Sequence, residues 1–369
     1  MDCDYFGICG SCSIFAMSYD EHLNKKTKPL VEQFQRLYGG EFEIFKSQDE
    51  RFRSRAEFTI FHLNGEILYA MNTFDKSLLT INSCKIVNEQ IANIMESILP
   101  RLQESEILSH KLFGIEFLSG SDEVLVTLIY HKKLDEAWMD EAKKLQNPKL
   151  KIIGRSRGVK LVLSQDYVTA QIPSQNRIFK IIHKEGAFSQ PNAKINEKMV
   201  EWVTSNLQTS NKDLCELYCG GGNFTLPLSQ KFRKVLATEI SKSSIASAKQ
   251  SCQLSGVDNI TFVRMSAEEF ASALAKTREF FRLREVDLDS FDFGAIFVDP
   301  PRAGIDEETL RFVATFEKII YISCNPQTLL RDLEILSATH EVEKFAFFDQ
   351  FAWTHHIESG VILKRKLQE

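Results

Sequence analysis

The sequence predicts an α/β protein, with a mostly parallel, helix-covered sheet in its C-terminal half and an α+β module before it. Three observations carry this. Apolar runs alternate with helical segments from residue 214 onward, which is βαβ periodicity. A glycine-rich turn follows the first of these runs. The last two runs have no long helix between them and so pair antiparallel at one edge.

The expected elements follow in chain order. A Cys/Gly cluster opens the chain, and a helix is expected near Tyr19–Leu37. Alternating patterns predict strands around Phe42–Phe45, Ala56–Phe61, Leu68–Asn72, Lys111–Phe117 and Val124–Tyr130. Helical spacing predicts Glu89–Gln103 and Leu134–Leu145. In the C-terminal half, strands are expected at Leu214–Tyr218, Val235–Thr238, Ile260–Val263, Ala295–Val298 and Ile319–Ile322. Helices near 225–231, 243–254, 267–276, 307–316 and 327–337 separate or follow them. Val342–Phe348 and Gly360–Lys364 complete seven strands. The charged, Phe-rich stretch Arg278–Asp292 reads as an insertion. The boundary falls near Ala187, giving an N-terminal unit 1–186 and a catalytic unit 187–369.

At 369 residues, with 43% hydrophobic and 26% charged side chains, the chain suits two ordinary globular units. No apolar run spans a membrane and no secretory signal opens the sequence, so the expected compartment is the cytoplasm. A monomer is expected. The net charge is −5, yet Lys151–Lys198 is rich in Lys and Arg. That stretch reads equally as a phosphate-binding surface or as a solvated face. The eight cysteines are better suited to metal ligation, nucleophilic chemistry or core packing than to disulfides in that compartment.

Cys324 is the most informative residue. It ends an apolar run and precedes Asn325-Pro326, which places a thiol at a strand end facing a crevice. A lone cysteine is more often a core residue. Here the companions decide otherwise: Asp299 and Arg302 follow the preceding apolar run, and Glu358 lies just before the last one. Glu216 to Phe224 contains Tyr218, Gly220 and Asn223 on the glycine-rich turn, where backbone amides approach a ligand. Glu239, about 20 residues on, stands where a carboxylate grips ribose hydroxyls. The turn lacks the G-x-G-x-x-G spacing of nicotinamide cofactors, and hydride transfer has no use for a thiol. S-adenosylmethionine fits better.

A thiol beside a methyl donor suggests a poor carbon nucleophile such as uracil C5. Addition of Cys324 to C6 gives C5 carbanion character, C5 takes the methyl group, and a base then removes the C5 proton so that the thiolate leaves. Glu358 is assigned as that base, and Arg302 as the residue that stabilises the enolate or orients base and phosphate. His355 and His356 lack a second ligand set, so no zinc is expected there.

These motifs resemble the bacterial tRNA (uracil-5-)-methyltransferases, which make ribothymidine in the T-loop of tRNA. The likeness runs from about Arg51 to the C-terminus. It is carried by Phe52–Phe58, Tyr130–Leu134, Phe188–Asn192, Glu216–Phe224, Leu236–Glu239, Phe297–Gly304, Ser323–Pro326, Phe348–Phe351 and Thr354–Glu358. The resemblance implies a Rossmann-like, seven-stranded S-adenosylmethionine methyltransferase sheet behind an RNA-binding module. It implies cofactor contacts from Gln190, Tyr218, Gly220, Asn223, Glu239 and Asp299, with Cys324 as nucleophile and Glu358 as proton acceptor. It also implies tRNA, and the T-loop-like arm of transfer-messenger RNA, as partners. The target base must leave its stack to reach Cys324. Arg53, Arg55, Phe113 and His131 are the candidate RNA contacts.

The N-terminus departs from that pattern. Cys3, Cys9, Cys12 and the distant Cys84 are similar to the iron–sulfur ligands of a sister family, the 23S rRNA (uracil-5-)-methyltransferases. Four thiolates complete a [4Fe–4S] ligand set, zinc is the other metal for them, and reduced surface cysteines are the third reading. The sister family's leading β-barrel has no room here, which favours tRNA over ribosomal RNA. A chain that binds or folds tRNA without catalysis is the alternative of another class, and the intact Cys324, Glu358 and Asp299 argue against it.

Overall fold

The computed structural model describes residues 1–367. An irregular segment opens the chain and bridges to the next sheet through Cys9 and Thr73. Helix α1 (Tyr19–Phe34) and the short strand β1 (Glu43–Phe45) follow. Ser18 and Glu21 form a reciprocal capping box at the start of α1.

A seven-stranded sheet comes next. Its strands are β2 (Arg55–Leu63), β3 (Glu66–Asn72), β4 (Leu78–Ile81), β5 (Leu112–Ser119), β6 (Val124–Tyr130), β7 (Leu150–Ser156) and β8 (Val159–Val162), in spatial order β4-β3-β2-β5-β6-β7-β8. All neighbours are antiparallel except β6 and β7. Helices α2 (Glu89–Gln103), α3 (Glu106–Ser109) and α4 (Glu136–Lys143) accompany it. Ile91, Met95, Ile98 and Leu102 form the buried stripe of α2, and they share a core with Phe58, Phe117 and Trp138. A hairpin of β9 (Tyr167–Ser174) and β10 (Arg177–Lys184) then leads out of this unit.

The C-terminal half runs α5 (Ala193–Ser205), β11 (Asp213–Leu217), α6 (Thr225–Leu228), β12 (Val235–Thr238), α7 (Lys242–Ser255), β13 (Ile260–Val263), α8 (Ala267–Leu274), β14 (Phe293–Val298), α9 (Glu307–Val313), β15 (Lys318–Ser323), α10 (Pro326–Leu336), β16 (His340–Phe348) and β17 (Glu358–Arg365). All seven expected strands are present, and β17 is antiparallel to both β15 and β16. Arg278–Asp292 holds two short 3₁₀ turns, as an insertion would. One core lies between α8–α10 and the sheet, and another lies beneath α5 and α7. The hairpin is tied to α7 where the Ile182 amide donates to Ser251 Oγ at 2.9 Å and the Lys180 amide to Ser255 Oγ at 2.8 Å.

Three features differ from the sequence reading. First, the catalytic sheet has an eighth strand: β1 pairs parallel with β16 at its edge. Phe34 of α1 also enters that sheet's core, with its ring 4.8 Å from Phe345 and 6.2 Å from Phe347. Burial of such a ring contributes about 2–3 kcal/mol. Residues of the expected unit 1–186 therefore complete the packing of the unit 187–369. Second, β4, β7–β10 and α5 were not anticipated; Lys and Arg interrupt the alternation in β7, β8 and β10, and Pro173 does so in β9. Third, the basic stretch is largely neutralised internally. Lys151 meets Glu123, Arg155 and Lys160 meet Glu185, Lys184 meets Asp166 and Lys194 meets Glu197. Arg177 donates to the carbonyl of Gly256.

Candidate active site

The carboxyl ends of the parallel strands meet at one edge of the catalytic sheet, as is usual for ligand crevices in open α/β sheets. β11 ends at Leu217 and runs directly into the turn. Tyr218 takes a left-handed backbone with φ +61°, and Gly220 and Gly222 have φ +53° and +88°. A Cβ on Gly222 would come 2.8 Å from Leu226 Cδ1, so no larger residue fits, whereas one on Gly220 would meet nothing within 4 Å. The turn thus packs tightly on its helix side and leaves open space on the other.

Glu239, just beyond β12, accepts from the Gly220 amide at 3.1 Å and the Ser241 amide at 2.7 Å. Its remaining lone pairs can accept from hydroxyls. Asn223 and Asn196 exchange two 2.8 Å hydrogen bonds, which fix both amides. Gln190 is buried, and its side-chain carbonyl accepts from Gln350 at 2.6 Å. Each of these residues borders the turn or the segment leading to it. The open glycine turn, the held carboxylate of Glu239 and the acidic Asp299 fit a nucleoside-bearing cation such as S-adenosylmethionine.

The other half of the crevice holds the thiol. Ser323 pairs with Ser359 across β15 and β17. Cys324 is the first residue after β15 and Glu358 the first of β17, and the two are near enough for the carboxyl to act on the thiol. Asn325 caps α10 by accepting from the Gln327 amide at 3.1 Å and donates to the Arg302 carbonyl at 2.9 Å. Pro326 occupies the first turn of α10, where its missing N–H costs nothing. Arg302 Nη2 lies 2.8 Å from His356 Nδ1, so the guanidinium is tied to the loop that precedes Glu358.

The electrostatics are those of a desolvated acidic crevice. Burial, with help from Asp299, pushes the Glu358 carboxyl up to about 8, against the pull of Arg302. Burial pushes Asp299 up to about 7. Burial, Glu358 and Asp299 push the Cys324 thiol up to about 11, while Arg302 lowers it. The free site therefore holds a protonated thiol, and attack requires that proton to leave. A carboxyl poised near 8 is mostly protonated at neutral pH and accepts a proton through its ionised fraction, which grows as pH rises.

Two groups that the sequence reading left without a role belong here. Glu216 on β11 is buried and accepts from Thr225 Oγ1 at 2.9 Å, while its Oε2 has no partner. Burial raises its carboxyl to about 8, and Asp299 adds to that. Gln350 is the other, and the stretch Phe348-Asp349-Gln350-Phe351 was its signal.

The candidate RNA contacts fall in two places. Phe113, about half exposed, stacks on His131 with ring centroids 4.3 Å apart. Lys132, Lys133 and Arg157 border the same groove. Arg53 and Arg55 lie elsewhere, against the segment that carries Gln190. The Arg53 side chain donates to the Arg55 carbonyl at 2.8 Å, and Arg55 donates to the Ala187 carbonyl at 2.7 Å. Ser54 between them holds the Pro191 carbonyl from its amide at 2.7 Å. Of the two guanidinium groups, that of Arg55 holds the start of the segment that carries Gln190, while that of Arg53 bonds within its own stretch.

Cys3, Cys9, Cys12 and Cys84 line one small apolar cavity, and all four are free thiols. Burial and the three other cysteines push the Cys12 thiol up to about 12. Among the described residues, however, no three side chains stand at separations that would hold a metal ion. The four sulfurs are gathered but not drawn into a ligand set.

A Rossmann-like sheet with this turn, and with its strand ends gathered into an acidic crevice, defines the class of S-adenosylmethionine-dependent methyltransferases. The profile of the family described as tRNA (Uracil-5-)-methyltransferase matches residues 18–366, and the chain belongs to that family. It is 52% identical to the tRNA/tmRNA (uracil-C(5))-methyltransferase of Aliarcobacter butzleri, over the whole of both chains. It is 49% identical to that of Nitratiruptor sp., over 99% of this chain and all of the other. The crystal structure of Pyrococcus abyssi tRNA (uracil-54, C5)-methyltransferase with S-adenosyl-L-homocysteine superposes with a TM-score of 0.73. It covers 97% of this chain and 86% of its own at 19% identity, a likeness of fold.

Proposed function

We infer that the chain is a tRNA (uracil-C5)-methyltransferase that uses S-adenosylmethionine. Family membership over nearly the whole length carries this conclusion. The finer proposals are uracil 54 of the T-loop and the tRNA-like arm of transfer-messenger RNA as targets, with a monomer working in the cytoplasm. No described helix is long and apolar enough to cross a membrane. The relatives' names specify tRNA and transfer-messenger RNA, which favours them over 23S rRNA. Residues 1–186 are assigned to RNA binding and 187–369 to catalysis.

What supports the mechanism is that Cys324 directly follows β15 and Glu358 opens the strand paired with it, with the carboxyl acting electrostatically on the thiol. The Cys324 sulfur bonds to uracil C6 while its proton leaves to a neighbouring base, and the ring's electron pair moves to C5. Arg302 stabilises the enolate that results. The cofactor supplies a methyl group on a sulfonium leaving group, and C5 takes it. Glu358 then accepts the C5 proton, the C6–S bond breaks, and the thiolate is released. Gln190, Tyr218, Gly220, Asn223, Glu239 and Asp299 hold the cofactor, whose positive charge suits Asp299. Phe113 and His131 offer stacking faces to the RNA loop, with Lys132, Lys133 and Arg157 for its phosphates. Labelled S-adenosylmethionine offered separately with unmodified tRNA and with a 23S rRNA fragment tests this reading. Label confined to the T-loop uridine is expected, and label in ribosomal RNA alone would refute it.

For the four N-terminal cysteines we propose a [4Fe–4S] cluster. The shared cavity supports it, and filling the site requires the sulfurs to close on the metal. No step of methyl transfer runs through it. Iron and sulfide analysis of an anaerobic preparation tests it, and a colourless, metal-free protein would sink it.

A further inference from the structure

Helix α1 makes a buried polar contact with the segment between β16 and β17 that the reaction scheme leaves unused. Lys26 and Asp349 are both buried, with Lys26 Nζ 2.5 Å from Asp349 Oδ1. Tyr19 donates to Asp349 Oδ2 at 2.6 Å, and Lys26 donates also to the Phe351 carbonyl at 3.0 Å. His22 Nε2 lies 3.4 Å from the Thr354 carbonyl, and its ring stacks on Trp353 with centroids 5.2 Å apart. Tyr19, His22 and Lys26 recur at helical spacing, so one face of α1 is turned to this segment. Trp353 is wholly buried with φ +63°, and its indole donates to the Asp49 carbonyl at 2.7 Å. A bulky residue held in the left-handed region persists only where its surroundings impose it.

The far side of the same segment enters the site. Gln350 holds Gln190, His356 holds Arg302, and the segment ends on Glu358. A buried ion pair is a costly way to gain stability, because desolvation offsets the attraction and an apolar pair would pack as well. What such a network does supply is a single fixed geometry. We propose that Lys26 and Tyr19 are positioning residues, which lock Asp349 so that Gln350 orients Gln190 and Glu358 stands at Cys324. This rests on Glu358 being the proton acceptor. A base displaced by about 1 Å loses on the order of 10²-fold in rate.

The experiment compares Tyr19→Phe, the neutral pair Lys26→Met/Asp349→Asn, and Glu358→Gln. For each, thermal stability, kcat, KM for tRNA and the amount of enzyme–tRNA adduct that survives denaturing gel electrophoresis are measured with S-adenosylmethionine present. For Tyr19→Phe and the neutral pair, kcat falls on the order of tenfold at unchanged KM. Adduct accumulates because elimination lags. Wild-type kcat and adduct in a folded neutral pair overturn the proposal. If the neutral pair does not fold, Tyr19→Phe decides alone by the same criterion, at a temperature well below its melting point. Adduct in Glu358→Gln without any effect of Tyr19→Phe sinks the positioning role only. No adduct in Glu358→Gln sinks the assignment of the base itself.

Discussion

Buried carboxylates occur in two regions of this molecule, and their surroundings set them apart. In the crevice, Glu358, Asp299 and Glu216 are buried and no cation bonds to their oxygens among the described residues, so their carboxyls rise to about 8, 7 and 8. Beside the hairpin, Glu185 is also buried, less deeply, and has Arg155 at 2.5 Å and Lys160 at 3.0 Å. Burial alone would raise Glu185 and its neighbour Asp166. The bonds and charges of Arg155, Lys160 and Lys184 outweigh it and hold both below the usual range. The first arrangement keeps protons available near neutral pH and sacrifices stability for it. The second is structural. Burial alone therefore does not mark a functional acid, whereas burial without a bonded cation does.

The comparison is broken most severely at the nucleophile. Cys324→Ala is expected to lower methyl transfer on the order of 10⁴-fold or more while tRNA binding persists, read by label incorporation and by filter binding. Methylation at the wild-type rate would end the covalent mechanism. Glu358→Gln is expected to lower kcat by about 10²–10⁴-fold and to leave a denaturation-stable adduct with tRNA.

The pH dependence follows from the same carboxyl. Glu358 acts as a base only when ionised, so elimination should speed up as pH rises towards about 8 and then level off. Single-turnover rates between pH 6 and 9 would reveal a flat profile if another group were the acceptor.

Stability divides the two regions with opposite sign. Glu216 binds its proton more tightly folded than unfolded, so its contribution is complete below the ordinary carboxylate range and is lost as pH rises through about 8. Glu216→Gln should consequently melt higher than wild type at pH 9 and close to it at pH 5. Equal melting points at pH 9 would show that the carboxyl is not held protonated. For Glu185 and Asp166 the stabilisation is present above the ordinary range and disappears as acid protonates them. The smallest effect belongs to Arg155, whose side chain is 41% exposed. Arg155→Met should cost about 1 kcal/mol or less in chemical denaturation and leave kcat unchanged.

The crevice was legible because its residues sit next to strand ends. Cys324 before Asn-Pro, Asp299 after an apolar run and the glycines after β11 each carry their position in the local pattern. The eighth strand was not legible as part of this sheet. Phe42–Phe45 reads as a strand, but nothing within it names Phe345–Phe348 as its neighbour. Asp349 and Lys26 stayed hidden for the same reason, since a pair 323 positions apart leaves no local trace. The charge of Arg53 and Arg55 is visible in the sequence, whereas the backbone carbonyls to which each of them donates are not. The basic stretch reads either way in the sequence, and its ion pairs with Glu123, Asp166 and Glu185 favour the solvated face.

The pairing of β1 with β16 has a consequence for synthesis. Residues 43–45 are synthesised long before residues 346–348, with which they pair. The seven strands of the N-terminal sheet all lie within residues 55–162, so that sheet can form during translation. The catalytic sheet keeps one edge open until residues 346–348 have been made, and closing it is a contact between distant parts of the chain that forms late in folding.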